Sequence, residues 1–293
     1  LYNQENLSDI LSQLIRTTFI PKKNHRFIIA DFSAIEARII AYLSDEKWRI
    51  DVFNTHGKIY EASASKMFKV DIDEITKESE LRQKGKIAEL ALGYQGGVKA
   101  LVSMGAYNMN LCESELIEIV RAFRSSNTNI VKLWNTVEKA FIEAVNNKSI
   151  VHIDKNISFI YEGNILFIKL PSGRRLSYIR PKIDYNNAFN KSIITYEGVD
   201  STTKKNTRLT TYGGKLVENI VQAIARDVLG EAMMNLRNKG FNIVMHVHDE
   251  IVLEVENGVS SVEKVCEIMC KENRYLKGLN LRADGFESNY YKK

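Results

Sequence analysis

The sequence predicts an α+β protein with a helical middle and strands near both ends, which we expect to share one sheet. Three observations lead to this prediction. A short apolar run before residue 31 and two more within residues 242–255 have the character of buried strands. Apolar residues between positions 51 and 145 recur at helical spacing. Residues 150–183 contain β-like runs separated by turn signals.

The composition excludes several classes of protein. The 293 residues carry 41 Lys and Arg against 36 Asp and Glu, a net charge of +5, and 44% are hydrophobic. These values are typical of globular proteins rather than disordered or collagen-like chains. The three cysteines do not form a disulfide framework, and we interpret them as buried thiols. No stretch reaches the roughly 18 apolar residues of a membrane span, so we expect no membrane partner and a cytoplasmic location.

The first strand is predicted at residues 26–30, followed by apolar residues at helical spacing from Ile35. Asp31 lies at this strand-to-helix junction. Ser33 and Glu36 also match a helix capping box, in which the two side chains satisfy backbone donors at the helix start. On that alternative Glu36 has only a structural role.

After the helical middle, hairpin turns are predicted at residues 162–164 and 171–173, and a polar surface loop at residues 198–208. A helix is predicted from Leu216 to Asn238, two strands within residues 242–255, a last helix over residues 262–273, and a short tail over residues 281–291. His246 and His248 alternate, which predicts that both face the same side of one strand.

Two carboxylates are candidates for metal chemistry. Asp31 follows the first strand, and Asp249 lies with Glu250 between the two late strands, where a tight hairpin would place both on a turn. If the strands share a sheet, Asp31 and Asp249 converge and offer the oxygen ligands that Mg²⁺ prefers. A pair of such ions can support phosphoryl transfer. The alternative is that each carboxylate only decorates a turn.

A second candidate is a stripe in which Arg82, Lys86, Leu90 and Tyr94 recur every fourth residue. Arg82 can hold phosphate oxygens in a bidentate manner, Lys86 can act as a point charge, and Tyr94 can stack on a base. The alternative is a basic exposed face that leads into a core-facing Leu90. Gly85 inside the helix suggests a close backbone approach.

Three segments, in order, resemble the motifs of family A DNA polymerases, the bacterial DNA polymerase I type. Residues 31–38, DFSAIEAR, resemble motif A, commonly DYSQIELR. The stripe from Arg82 to Gly96 resembles motif B, RxxxKxxxFxxxYG, and His248-Asp249-Glu250 resembles motif C, commonly VHDE. The whole chain is similar to the phage-type members of this family.

The resemblance implies a set of roles for the site. Asp31 and Asp249 would bind two Mg²⁺ ions with the backbone carbonyl of Phe32, and Glu250 would lie beside the primer terminus. Three further residues would complete the catalytic and primer contacts: Lys86 near the reacting phosphate, His248 at the primer end, and Gln222 in the minor groove.

The same resemblance implies that Arg82 and Lys86 contact the incoming triphosphate and that Tyr94 lies against the templating pair. Glu36 would exclude ribonucleotides by crowding the sugar 2′ position. Leu90 and Tyr60 occupy positions where the family commonly has an aromatic residue and a histidine near the β-phosphate, respectively. Ala34 replaces a common Gln, and Gln95 separates Tyr94 from Gly96.

The resemblance also implies a right-hand palm with an antiparallel sheet and helices, into which an α-rich fingers subdomain is inserted. We expect the first part of the palm at residues 1–45, the fingers at 46–185 with a β-hairpin region, and the second part of the palm at 186–293. The partners would be primer-template DNA and dNTPs in a bacterial or phage-infected cell. Because only about thirty residues precede Asp31, we expect the thumb and exonuclease to be supplied by an upstream segment.

Two alternatives remain open at this stage. A phage-type RNA polymerase shares the aspartates and the lysine, although Glu36 argues against it. A non-catalytic or incomplete DNA-binding fragment would keep the fold without turnover, and with a net charge of only +5 its grip on DNA would be localised and sensitive to salt.

Overall fold

The computed structural model describes residues 11, 14–109, 111–186 and 191–292. These residues form two compact units. One unit combines Leu1–Ile35 with Ala225–Lys293, and the other is Glu36–Ile224. The boundaries of the palm and fingers given above remain a prediction.

The first unit is built on a four-stranded antiparallel sheet in the order β10-β1-β9-β8. Its strands are β1 (His25–Phe32), β8 (Asn242–Val247), β9 (Glu250–Glu256) and β10 (Ala283–Ser288). The sheet confirms that the two ends of the chain pair. The predicted tail is wrong, since residues 283–288 form a strand beside β1.

Both faces of β1 are covered, which explains why its sequence is continuously apolar. Phe27 and Ile29 pack with Val252 and Tyr291 on one face. Ile28 is fully buried on the opposite face, and the helix Val262–Met269 packs against β1 and β10. That helix begins at a cap in which the Ser261 hydroxyl accepts from the backbone N–H of Lys264 at 3.3 Å.

The second unit begins with helices, as the periodicity predicts. They are α1 (Ile35–Ser44), which starts at the unit boundary, α2 (Lys47–Asn54), α3 (Ile59–Phe68), α4 (Glu80–Leu92), α5 (Val98–Ser103), α6 (Glu113–Ser126) and α7 (Thr128–Asn147). Helix α7 buries a stripe of side chains at helical spacing, among them Ile130, Trp134 and Phe141. Two later helices are α8 (Gly213–Asn238), which crosses the unit boundary, and α9 (Val262–Met269), which belongs to the first unit.

Six strands between α7 and α8 form an antiparallel meander in sequence order. They are β2 (Ile150–Ile153), β3 (Ile157–Glu162), β4 (Ile165–Lys169), β5 (Arg175–Asn186), β6 (Lys191–Val199) and β7 (Asn206–Thr211). Gly163 and Asn164 both have positive φ and form the tight turn predicted there. The loop predicted at residues 198–208 is only 200–205, because β6 and β7 extend into it.

The fold is therefore α+β with antiparallel sheets, as the sequence predicts. Among the helices that the structure describes, none is long and apolar enough to cross a bilayer.

Candidate functional site

The register of the first unit's sheet gathers carboxylates at one end of β1. Asp31 lies opposite Glu250 on β9 and opposite Asp284 on β10. Directly opposed residues of antiparallel strands project from the same face, so the three side chains form a row across the sheet. The backbone N–H of Phe32 also donates to the carbonyl of Asp249 at 3.4 Å. The backbone of Phe32, the residue after Asp31, therefore lies against that of Asp249, while the convergence of the two carboxylates stays a prediction.

Asp249 and Glu250 occupy different environments. Strand β8 ends at Val247, and His248 has φ +54°, so His248 and Asp249 form the turn. Glu250 begins β9 and is only 2% exposed, which makes its predicted position on the turn wrong. The prediction that His246 and His248 share a strand is also wrong, since the strand ends between them.

Glu250 is held by a phenol from the end of the chain. The Tyr291 hydroxyl donates to Oε1 of Glu250 at 2.8 Å. Burial, followed by this bond to Glu250, raises the pKa of Tyr291 to about 12. Tyr291 therefore remains a hydrogen-bond donor at neutral pH.

Asp284 is a neighbour of Asp31 that sequence reasoning missed, because residues 281–291 were interpreted as a tail. The Ser33 hydroxyl donates to the Asp284 carboxylate, and the Ser33 N–H donates to the carbonyl of Arg282 at 2.8 Å. Helix α1 begins at Ile35, after Ala34 with φ +53°. The capping-box interpretation is therefore wrong, since Ala34 would have to be helical.

The prediction that all three cysteines are buried is wrong for Cys112. Cys112 is exposed, while Cys266 and Cys270 on and after α9 are partly buried. Burial raises the pKa of Cys266 to about 11, with smaller contributions from Cys270, Asp284 and Asp31. The Cys266 thiol is therefore protonated at neutral pH.

The donor set at this end of the sheet fits a magnesium site. Asp31 and the Phe32 carbonyl at the end of β1, and Asp249 in the turn before β9, all offer oxygen ligands. Across the described part of the chain, no group of three or more His, Cys, Asp or Glu side chains is arranged to hold a metal by itself. In phosphoryl-transfer sites, Mg²⁺ is usually bound by one or two carboxylates together with substrate phosphates.

The predicted stripe of the second unit lies along α4. Arg82, Lys86 and Leu90 lie on the helix, and Tyr94 follows its C-cap, Gly93. Lys86 is exposed, and Leu90 is 51% exposed. The alternative in which Leu90 faces the core is therefore wrong.

Arg82 is held from two sides. Its Nε donates to Oε1 of Glu61 at 2.6 Å, and its guanidinium lies over the Tyr60 ring, 5.6 Å from the centroid. Glu61 and Tyr60 both lie on α3. The side chains of Arg82 and Glu61 are 18% and 13% exposed, so this ion pair is mostly shielded from water.

Gly85 makes this arrangement possible. A Cβ on Gly85 would lie closer than 3.0 Å to the backbone carbonyl oxygen of Tyr60. Helices α3 and α4 thus approach more closely than a side chain would permit, as the glycine predicted. Helix α4 also forms a second, almost fully buried ion pair, in which Glu89 binds Arg49 on α2.

Tyr94 connects the second motif to the first. Its hydroxyl donates to Oε2 of Glu36 on α1 at 2.8 Å. The pKa of Tyr94 is strongly raised, first by burial and then by the Glu36 charge, so the phenol stays protonated. Glu36 therefore accepts a hydrogen bond from Tyr94 and does not cap helix α1.

The residue after Tyr94 anchors this turn to α8. Gln95 has φ +66°, and its Oε1 accepts from the backbone N–H of Gly214 at 2.8 Å. Gln222 lies two turns further along α8, is exposed, and contacts Glu218 at 3.4 Å. The structure thus groups Glu36, Tyr94 and Gln95 in one cluster and Tyr60, Glu61 and Arg82 in another.

Comparisons with known proteins agree with the family that these motifs resemble. A protein-family model described as DNA polymerase family A matches residues 4–285. The DNA polymerase of Bacillus phage SP02 is 57% identical over 284 residues, which cover 97% of this chain and 44% of the relative. DNA polymerase I of Borreliella burgdorferi is 27% identical over 286 residues, which cover 95% of this chain and 26% of the relative. The chain thus spans less than half the length of both relatives.

Among solved structures, the POL domain of Pol1 from M. smegmatis, in complex with DNA primer-template and dNTP, matches with a TM-score of 0.63. The sequence identity is 22%, and the match covers 95% of this chain and 42% of that chain. This likeness concerns the fold, which is that of a polymerase domain.

Proposed function

The chain belongs to DNA polymerase family A, and we propose that it catalyses template-directed DNA synthesis. In this reaction the 3′-oxygen of a primer forms a bond to the α-phosphorus of a dNTP, while the bond to the pyrophosphate leaving group breaks. The observation that supports the proposal is the pairing of Asp31 with Glu250 across β1 and β9, beside a backbone hydrogen bond from Phe32 to Asp249.

The carboxylates define the metal ligands of the proposal. Asp31, Asp249 and the carbonyl of Phe32 would hold two Mg²⁺ ions, which supply positive charge for the attacking hydroxyl and the leaving oxygen when bound. Glu250, buried and bonded to Tyr291, would stabilise this end of the sheet beside the primer terminus. His248, exposed on the turn, would contact the primer end.

The α4 stripe would bind the nucleotide. Arg82 and Lys86 would contact the triphosphate, with Lys86 as the exposed point charge nearer the reacting phosphate. Tyr60, under the guanidinium of Arg82, would face the β-phosphate. The exposed Leu90 would contact the base or sugar, and Tyr94 the templating pair.

Sugar selection would depend on Glu36. Its carboxylate accepts a hydrogen bond from the partly buried Tyr94 hydroxyl, so it is a fixed group that a ribose 2′-hydroxyl would have to displace. A ribonucleotide would either clash with this pair or break a charge-assisted hydrogen bond.

DNA binding would use the meander β2 to β7. Residues 150–211 hold ten Lys and Arg and five Asp and Glu, whereas the rest of the chain holds thirty-one of each. This one sheet therefore accounts for the whole net charge of +5. We assign it to the phosphate backbone of the primer-template, and Gln222 to the minor groove near the new pair.

A second candidate is an incomplete fragment that binds DNA but needs an upstream segment for turnover. It is favoured by one observation, that the chain covers only 44% of the phage relative.

Primer extension tests the proposal. The purified chain is incubated with primer-template, Mg²⁺ and either dNTPs or rNTPs, beside Asp249→Asn and the control Asp51→Asn, an exposed aspartate on α2. We expect extension with dNTPs only, lost in Asp249→Asn and kept in Asp51→Asn. Extension that survives Asp249→Asn would contradict the metal assignment. DNA binding without any extension by the unaltered chain would favour the fragment.

A further inference from the structure

Glu61 is a carboxylate beside the proposed triphosphate site that the proposed mechanism does not use. We propose that Glu61 is a positioning residue that orients Arg82 for the triphosphate of the incoming nucleotide. The inference rests on the proposed function, because it concerns the same nucleotide site.

The geometry of the guanidinium carries the first step. The Nε–H of Arg82 donates to Oε1 of Glu61 at 2.6 Å, and the Tyr60 ring covers one face of the guanidinium. Within the described residues, neither terminal nitrogen of Arg82 has a hydrogen-bond partner. The planar fork formed by these two nitrogens is the edge that binds two phosphate oxygens at once. Glu61 therefore occupies Nε, the one nitrogen that such bidentate binding does not use.

The rigidity of the surrounding helices carries the second step. Glu61 belongs to α3 and Arg82 to α4, and Gly85 lets the two helix backbones approach more closely than a Cβ would allow. The Ser79 hydroxyl caps α4 by accepting from the backbone N–H of Arg82 at 3.2 Å. Both the backbone and the side chain of Arg82 are thus held before a ligand arrives, which lowers the conformational entropy lost on binding.

A second mechanism would give Glu61 the opposite effect on nucleotide affinity. A carboxylate on Arg82 could instead be a stand-in for phosphate that the nucleotide must displace. The engaged atom favours positioning, because a displaced ligand would be expected on the terminal fork. The two mechanisms predict opposite effects of removing Glu61 on nucleotide affinity.

The experiment compares Glu61→Ala, Glu61→Gln and the control Glu118→Ala, an exposed glutamate on α6 without an ion-pair partner among the described residues. Steady-state extension of a primer-template gives KM for the dNTP and kcat. We expect Glu61→Ala to raise KM about tenfold with kcat within about twofold, as for the loss of one charge-assisted contact. The amide oxygen of Glu61→Gln can still accept from Nε, so this variant should restore KM to within about threefold of the original.

A double-mutant cycle with Arg82→Lys locates the effect. Lysine keeps the charge but has neither the Nε donor nor the fork, so Glu61→Ala should add no further change to KM in that background. An unchanged or lowered KM in Glu61→Ala, failure of Glu61→Gln to restore it, or full additivity with Arg82→Lys would each overturn the proposal.

A binding measurement separates this inference from the proposed function. Calorimetric titration with inorganic tripolyphosphate, without DNA, requires no synthesis. We expect weaker binding by Glu61→Ala, near-normal binding by Glu61→Gln and Glu118→Ala, and similar thermal unfolding temperatures for all variants. Equal binding by the unaltered chain and Glu61→Ala would overturn the positioning role even if the chain synthesises DNA. Failure of synthesis with this binding pattern intact would affect the proposed function alone.

Discussion

At the scale of single residues, the most informative contact is the hydrogen bond from Tyr94 to Glu36. It joins two residues that lie 58 positions apart, in different sequence motifs, and gives the Glu36 carboxylate a fixed partner. Because both groups are largely shielded from water, loss of one partner leaves the other unsatisfied. The pair should therefore control which sugar the site accepts.

Tyr94→Phe removes only the hydroxyl and tests this pair. We expect the preference for dNTP over rNTP, measured as the ratio of the two kcat/KM values, to fall about tenfold, which corresponds to ~1.4 kcal/mol. Glu36→Ala should reduce the preference further. Tyr107→Phe, at an exposed tyrosine, is the control and should leave it unchanged. An unaltered preference in Tyr94→Phe would show that Glu36 does not need the hydrogen bond.

Tyr291 gives a prediction for alkaline pH. Its pKa is 10.0 in a free side chain and about 12 in the folded chain, where burial and Glu250 disfavour the phenolate. Between these values the unfolded state loses its proton while the folded state keeps it, so stability falls as pH rises from about 10 to 12. Chemical denaturation at several pH values should show a smaller alkaline loss in Tyr291→Phe. An identical loss in both proteins would contradict this assignment.

At the scale of helices and strands, the strongest constraint is the close packing of α3 on α4 at Gly85. The sequence alone indicated a close approach at this position, but not the partner, because the contact joins residues that no local pattern connects. Glu61 became visible as a ligand of Arg82 only through this packing.

Gly85→Ala should therefore destabilise the chain by about 1–3 kcal/mol, since the added methyl group meets the Tyr60 carbonyl. Gly230→Ala is the matched control, because it lies in α8 with no atom within 4 Å of a new Cβ. Its effect should be stabilising by up to about 1 kcal/mol, as expected from helix propensity. Denaturant unfolding of both variants measures the difference, and equal effects would contradict the packing argument.

How much the sequence predicted depended on how local the signal was. Strand β1, the amphipathic α7 and the turn at Gly163 were predicted because periodicity and turn chemistry are local. Strand β10 was missed because it is a short, mostly exposed edge strand whose identity depends on pairing with β1. The capping box failed because Ala34 adopts a left-handed conformation that the sequence pattern does not reveal.

For the candidate site, the sequence named residues but not their surroundings. The motifs named Asp31, Asp249, Arg82 and Tyr94, but not the neighbours that hold them. Asp284, Tyr291 and Gln95 act through contacts between distant segments, for which a single sequence carries no signal.

At the scale of the whole molecule, we expect DNA binding to depend more on where the charges lie than on the net charge. The net charge of +5 is modest, yet residues 150–211 carry all of it, and the rest of the chain is balanced. A protein that binds DNA through such a region releases counterions there, so its affinity depends on salt.

Replacing Lys204 and Lys205, exposed in the turn between β6 and β7, by alanine should weaken primer-template binding and reduce the slope of log affinity against log salt by up to about two. Lys132→Ala with Lys139→Ala on α7 removes the same charge outside the meander and is the control. Fluorescence anisotropy at several salt concentrations gives both slopes. Equal losses in the two double variants would show that only total charge matters.

The central claim is that Asp31 and Asp249 form one metal site for nucleotidyl transfer. The most direct measurement is the binding of Mn²⁺, followed by electron paramagnetic resonance, in the presence of primer-template and dNTP. We expect two ions for the unaltered chain and for Asp51→Asn, and loss of bound metal in both Asp31→Asn and Asp249→Asn. Metal binding that is unchanged in these two variants would contradict the claim.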